Sequence, residues 1–150
     1  MKNNKGFSLV ELIIVIAIMA ILVGVMAPQL IKYIEKTNVS SDTQLCDSVK
    51  SAITTAMMDP EVINSTNAAI PSGSGWTDVS GGLGGGDFET AVEEILGCAD
   101  TAIDGKIKST TASGKVQFQI VNSNSVWVQI TNSDNRGKKD TTGTYNIFVD

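Results

Sequence analysis

Histidine is absent from this chain of 150 residues. That single absence removes the commonest general base, the commonest metal ligand and every triad built on an imidazole. Basic side chains are also scarce, with 11 Lys and Arg against 16 Asp and Glu, for a formal charge of −5. Phosphate binding depends on clustered Lys and Arg, and only Arg136 with Lys138 and Lys139 makes a basic knot, so no specific nucleic-acid site is evident. Aromatic residues are 5% of the chain. Only Phe7 and Tyr33 fall in its first helical part, too few for a continuous stack of rings. Two cysteines are too few for a structural metal site. Ser, Asp and Lys are plentiful, yet no spacing assembles a nucleophile with an oriented base. Neither catalysis nor a cofactor nor a metal is expected.

What is present is distributed very unevenly. From Phe7 to Ala27 the only polar side chains are Ser8 and Glu11. At about 1.5 Å per residue this stretch makes a helix of roughly 32 Å, close to the hydrocarbon thickness of about 30 Å. The remainder is rich in Ser, Thr, Asn, Asp and Gly and has to build one modest core from about 120 residues. The organisation is a membrane-length apolar helix followed by one small exported domain.

Three accounts of the apolar stretch compete. A cleaved secretory signal fits the basic start at Lys2 and Lys5 and the small-residue site at Val25-Met26-Ala27. Cleavage there would leave Pro28 on the prime side, where its ring and missing N–H suit an extended groove poorly. A plain anchor strands the Glu11 carboxylate in lipid, at a cost of roughly 2 to 3 kcal/mol if central and unpaired. The third account rests on Lys5-Gly6-Phe7-Ser8-Leu9-Val10-Glu11 followed directly by Leu12-Ile13-Ile14-Val15-Ile16-Ala17-Ile18. This run resembles the prepilin signal of type IV pilins and type II secretion pseudopilins. It has a short basic leader ending in Gly, then Phe, Glu as the fifth residue from that Phe, a long apolar helix and a Pro near its end.

The resemblance implies that a membrane prepilin peptidase cuts between Gly6 and Phe7 and methylates the new amino group of Phe7. It also implies that Glu11 meets the N-terminal amine of a neighbouring subunit during assembly, a pairing that is strong in low dielectric and expensive to leave half-made. Read without the resemblance, Glu11 is a carboxylate favoured near a helix N-terminus by the macrodipole and by snorkelling to headgroups. Many family members carry Gly where this chain has Ala20, so a helix break is expected at Gly24 and Pro28. The resemblance covers about the first 35 residues strongly and the rest by architecture. The implied domains are a leader at 1–6, a transmembrane and filament-core helix at 7–28, and an exported globular domain at 29–150 that includes the second half of the long helix.

Past Pro28 the helical period continues in a more polar register. Leu45, Val49, Ala52, Ile53, Ala56 and Met57 form one apolar stripe, ended by Asp59-Pro60. Lys32, Glu35, Lys36, Asp42, Asp47 and Lys50 read as the solvated or subunit-facing side. Residues 60–87 read as a connector ending in the glycine-rich run Gly81 to Gly86. No Gly-Lys-Ser or Gly-Lys-Thr follows that run, so a flexible surface loop is expected there in preference to a phosphate cradle. Asp87 is placed to cap a short helix with Phe88, Ala91, Val92, Ile95 and Leu96 inward and Gly97 as its stop.

In a domain outside the cytoplasm, Cys46 and Cys98 are expected to bridge, closing a loop of about 50 residues for roughly 4 kcal/mol. The alternative is two buried reduced thiols. Val116 to Val121 and Val126 to Thr131 alternate with period two about an Asn/Ser turn and predict a hairpin. Tyr145 to Val149 predicts a third strand, and Ile103 to Lys108 a fourth. In the polar loop between hairpin and third strand, Asp134 and Asp140 invite a calcium reading, but no EF-hand spacing is present and Arg136, Lys138 and Lys139 weaken the anion field. A solvated turn is favoured; the basic residues could instead meet an acidic patch on the next subunit.

The reading is an α+β chain, a long N-terminal α-helix with an apolar half and an amphipathic half packed on a small antiparallel β-sheet. Its expected role is as a structural subunit of a type IV pilus-like filament. Its expected partners are the prepilin peptidase, identical or related subunits, the lipid bilayer, and an inner-membrane assembly platform with a cytoplasmic ATPase. A pseudopilin of a secretion or DNA-uptake apparatus is the alternative within the family, and a membrane-anchored exported binding domain the alternative outside it.

Overall fold

The computed structural model describes residues 6–72, 75–109, 114–122, 125–131 and 147–150. Helix α1 runs from Leu9 to Met58 over 50 residues, and the chain divides into two units, one ending at Lys36 and one from Thr37 to Asp150. In the first unit every described residue up to Ile34 is exposed, and the helix is long and apolar enough to cross a membrane. The break expected at Gly24 and Pro28 is not formed, since α1 is continuous through both. In helical geometry Pro28 faces the Gly24 carbonyl, which is left without its usual N–H donor. The pair is therefore a weak point within an unbroken helical stretch.

The second unit is organised by the other half of α1. Asp42, Cys46, Val49, Ala52, Ile53 and Ala56 are its buried residues, recurring at helical spacing to give one inward face. Asp42, expected on the solvated side, is 1% exposed. The inward face packs into a core with Phe88, Val92, Leu83, Ile103 and the inner residues of the sheet. After Met58, Asp59 caps a short helix α2 (Pro60–Ile63) by accepting the Glu61 N–H at 2.8 Å. Helix α3 (Asp87–Leu96) ends at Gly97, which takes the left-handed conformation at φ 66°, as a helix-stopping glycine does.

The sheet has four antiparallel strands among the described residues, in the order β1 (Thr77–Asp78), β2 (Lys115–Asn122), β3 (Ser125–Thr131), β4 (Ile147–Val149). The hairpin pairs Val116 with Ile130 and Phe118 with Val128, and β4 joins through Ile130 with Ile147. Period two therefore sends Val116, Phe118, Val126, Val128 and Ile130 to the core. On the opposite side Phe148 meets Trp127 and Trp76 edge-on, with ring centroids 5.8 and 6.1 Å apart.

Two expectations are corrected here. The fourth strand is β1, whereas Ile103 to Lys108 contains a 3-10 turn at Asp104–Lys106. The Val116 N–H donates to Asp104 Oδ1 at 2.9 Å, so this turn serves β2 through a side chain instead of through a backbone ladder. The glycine-rich run is also not a free loop. A Cβ at Gly82 would sit 2.1 Å from the Asp78 carbonyl oxygen, and one at Gly84, where φ is +99°, 2.4 Å from that of Ala69. Leu83 between them is fully buried. Glycine is present because two backbones cross closely there. The polar loop with its calcium and basic-patch readings, and the residues Tyr145 and Asn146, lie outside the described residues.

Candidate functional site

The candidate site is the start of the chain, where a short irregular entry leads into α1. Gly6 and Phe7 precede the helix, and nothing lies within 4 Å of a Cβ built on Gly6. Phe7 is 88% exposed. Ser8 caps the helix through its main chain: its carbonyl accepts the Leu12 N–H at 3.2 Å, and its N–H donates to Glu11 Oε2 at 3.0 Å. The Glu11 contact is the reach-back half of a capping box, in which an acid three residues into the helix satisfies the cap's own N–H. The signal Ser8-x-x-Glu11 is legible in the sequence and gives Glu11 a local role that the reading above did not assign.

Beyond Glu11 the residues Leu12, Ile13, Ile14, Val15, Ile16 and Ile18 are each between 46% and 59% exposed. An apolar surface of that extent on a folded chain marks a membrane or a protein interface. Glu11 is thus a lone carboxylate at the N-terminal edge of a surface that avoids water.

The structure does not bring Cys46 and Cys98 together. Both are free thiols, Cys46 buried and Cys98 half-buried. Cys46 points into the core, where burial and the nearby charges of Asp42 and Asp47 push its thiol up to about 12. Cys98, just past the end of α3, instead accepts a hydrogen bond from Lys106 Nζ at 3.0 Å. Among the described residues one group of acids lies close enough to hold a cation: Glu89, Glu93 and Asp100, with oxygens within 4.8 Å of one another. Each is already engaged by the backbone, accepting N–H bonds from Gly85, Asp100 and Gly81 at 2.7, 2.8 and 2.6 Å. These bonds tie the glycine-rich crossing to α3 and account for the cluster structurally.

Residues 1–27 match the family model described as a prokaryotic N-terminal methylation motif. The chain therefore carries that motif over its first 27 residues. Among its relatives, a prepilin peptidase-dependent protein A from Clostridium perfringens (strain 13 / Type A) is 34% identical over 83 residues, covering 53% of this chain and 59% of the relative. A fimbrial protein from Moraxella nonliquefaciens is 44% identical over 55 residues, 37% of this chain and 36% of the relative. One from Pseudomonas aeruginosa is 36% identical over 66 residues, 44% and 43% of the two chains. The chain spans between about a third and three-fifths of the length of the curated relatives it matches. No solved structure matches it.

Proposed function

We infer that this chain is the precursor of a structural subunit in a type IV pilus-like extracellular filament, polymerised through its apolar N-terminal helix. The observation that carries the reading is the uncovered apolar surface that begins at Phe7 and holds Glu11 at its edge. Lipid covers that surface before assembly, and the same surface of other copies covers it in the filament, where van der Waals packing replaces lipid contact. A prepilin peptidase, which a relative's name also invokes, cuts after Gly6 and methylates Phe7. Residues 7–28 then serve as anchor and filament core, and residues 29–150 stand outside the membrane and form the filament surface.

Removal of the leader takes Lys2 and Lys5 away and leaves a new amine at Phe7. In the low dielectric of a helix bundle that amine needs a carboxylate, and Glu11 is the acid within the apolar stretch. Pairing between the amine of one subunit and Glu11 of the next sets the axial register. An assembly platform driven by a cytoplasmic ATPase supplies the work of extracting subunits from lipid.

Intact-mass and N-terminal peptide mass spectrometry on the native cell envelope and on sheared surface material tests this reading. A chain beginning at methylated Phe7 and abundant in the sheared fraction is expected. The same mature chain confined to the membrane would move the assignment to a pseudopilin of a secretion or DNA-uptake apparatus. A chain beginning at Met1 or Pro28 would overturn both.

A further inference from the structure

The globular unit carries two open depressions of opposite charge. One, about 420 Å³, lies between α1 and the 3-10 turn at Asp104–Lys106; Ser41, Gln44 and Ser48 line one side, Lys106 and Lys108 the other. The Lys108 main chain is fixed, since its N–H donates to Asp42 at 2.9 Å, and Lys106 is held by Cys98. Neither ammonium group has a carboxylate within ion-pair reach among the described residues. The nearby Asp42 carboxylate is buried and taken up by two backbone N–H groups, so it does not neutralise the lysines by contact.

The other depression, about 250 Å³, lies between α2 and α3 and is lined by Asp59, Glu61, Asp87 and Glu94 with Val62 and Thr90. Asp59 caps α2, and Asp87 accepts the Ser65 hydroxyl. Glu61 and Glu94 are exposed and have no side-chain partner among the described residues. Four acids in one groove repel one another, and no basic side chain among the described residues lines the groove with them.

The two patches are not at the same height along α1. The basic cleft flanks Ser41 to Ser48, and the acidic groove begins where α1 has ended, about 20 Å further along its axis. Complementary patches that differ from each other make a head-to-tail contact, in which each copy uses one patch to give and the other to receive. Such a contact builds an open helical array unless a rotation closes it.

We propose that the groove bearing Glu61 and Glu94 docks on the Lys106/Lys108 cleft of a second copy of this chain. The inference rests on the filament reading and gives that assembly a second contact, outside the membrane. Exposed charge pairs contribute mainly register and selectivity.

The test uses full-length chain in its own membrane, with tagged and untagged copies produced together and the tagged copy captured after mild solubilisation. Two variants are compared, K106E/K108E and E61K/E94K. Each alone is expected to lose self-capture several-fold, while a tagged copy of one with an untagged copy of the other restores it, because the reversed charges again match. Wild-type capture should also fall at about 0.5 M salt, where the screening length shrinks to a few Å. Absence of wild-type self-capture, unchanged capture in each variant alone, or a loss that mixing does not rescue would overturn the proposal. Counting sheared filaments in the same strains separates the two readings. Filaments at normal number in both variants would sink the contact and keep the filament; capture as expected without any wild-type filament would do the reverse.

Discussion

The Asp42 carboxylate of α1 accepts the Ser109 N–H at 2.8 Å, across 67 positions of sequence. Its other oxygen accepts the Lys108 N–H at 2.9 Å, so a single helical side chain satisfies two consecutive backbone donors of the segment that leads toward β2. The carboxylate acts as the pin between the long helix and that segment. Burial without such partners would be prohibitive for a charge.

Replacing this pin should therefore be costly. Asp42→Ala leaves two N–H groups without an acceptor and is expected to destabilise the globular unit by about 2 to 3 kcal/mol, with Asp42→Asn losing less because one acceptor remains. Chemical unfolding of the full chain in detergent, followed by Trp76 and Trp127 fluorescence, measures both. Equal midpoints for Asp42→Ala and wild type would remove the pin from the account.

Glu11 has a local capping role and a proposed role in assembly, and one substitution can part the two. Glutamine at this position can still accept the Ser8 N–H and keep the capping box, but it cannot pair with an amine as a charge. Glu11→Gln is expected to be cleaved and methylated normally and to yield few or no filaments. Normal filament number with Glu11→Gln would assign the residue to capping alone.

At Gly84, both the backbone conformation and the space are wrong for a side chain. Its φ of +99° and the 2.4 Å approach to the Ala69 carbonyl predict that Gly84→Ala lowers stability by about 1 to 3 kcal/mol, whereas Gly105→Ala, with open space at its Cβ, changes it little. A shared melting temperature for the two variants would contradict the crossing described above.

The thiols should differ in reactivity. Thiolate is the reacting form, and with its thiol pushed up to about 12 Cys46 is protected twice, by burial and by protonation. Alkylation of the native protein without reductant is expected to label Cys98 only, and denaturation to expose the second site. No labelling after denaturation, reversed by reductant, would show a bridge instead.

The ion pair between Lys115 and Asp78, at 2.7 Å, gives a small pH dependence with a defined sign. Hydrogen bonds from Lys115 and Gln117 hold the Asp78 carboxyl below its usual range. Its contribution to stability is present above the ordinary aspartate pKa and lost as pH falls through the lowered one. The same bond raises Lys115, whose contribution is present below the ordinary lysine pKa and fades as pH rises through the raised one. Both groups face solvent, so the effect is modest and weakened by salt. Asp78→Asn should lower the melting temperature slightly at pH 7 and by progressively less as pH falls through the lowered carboxyl range; a drop that does not shrink with falling pH would refute the electrostatic origin.

Local pattern determined a large part of this protein. The apolar run from Phe7, the stripe through Val49 and Ile53, the stop at Gly97 and the alternation of β2 and β3 are written in neighbouring residues, because helices and strands repeat with fixed periods and turns need particular backbones. The methylation motif occupies one continuous stretch, residues 1–27, so it could be read without a fold. Tertiary structure alone decided the rest. Asp42 looks like any solvated acid until the N–H groups of Lys108 and Ser109 arrive from far along the chain. The glycine-rich run looks flexible until the backbones at Asp78 and Ala69 close on it. Strand β1 is two residues long and carries no period of its own; it exists because β2 offers it an edge. In each case the deciding partner is distant in sequence, and a contact of that kind has no signature until the chain has folded.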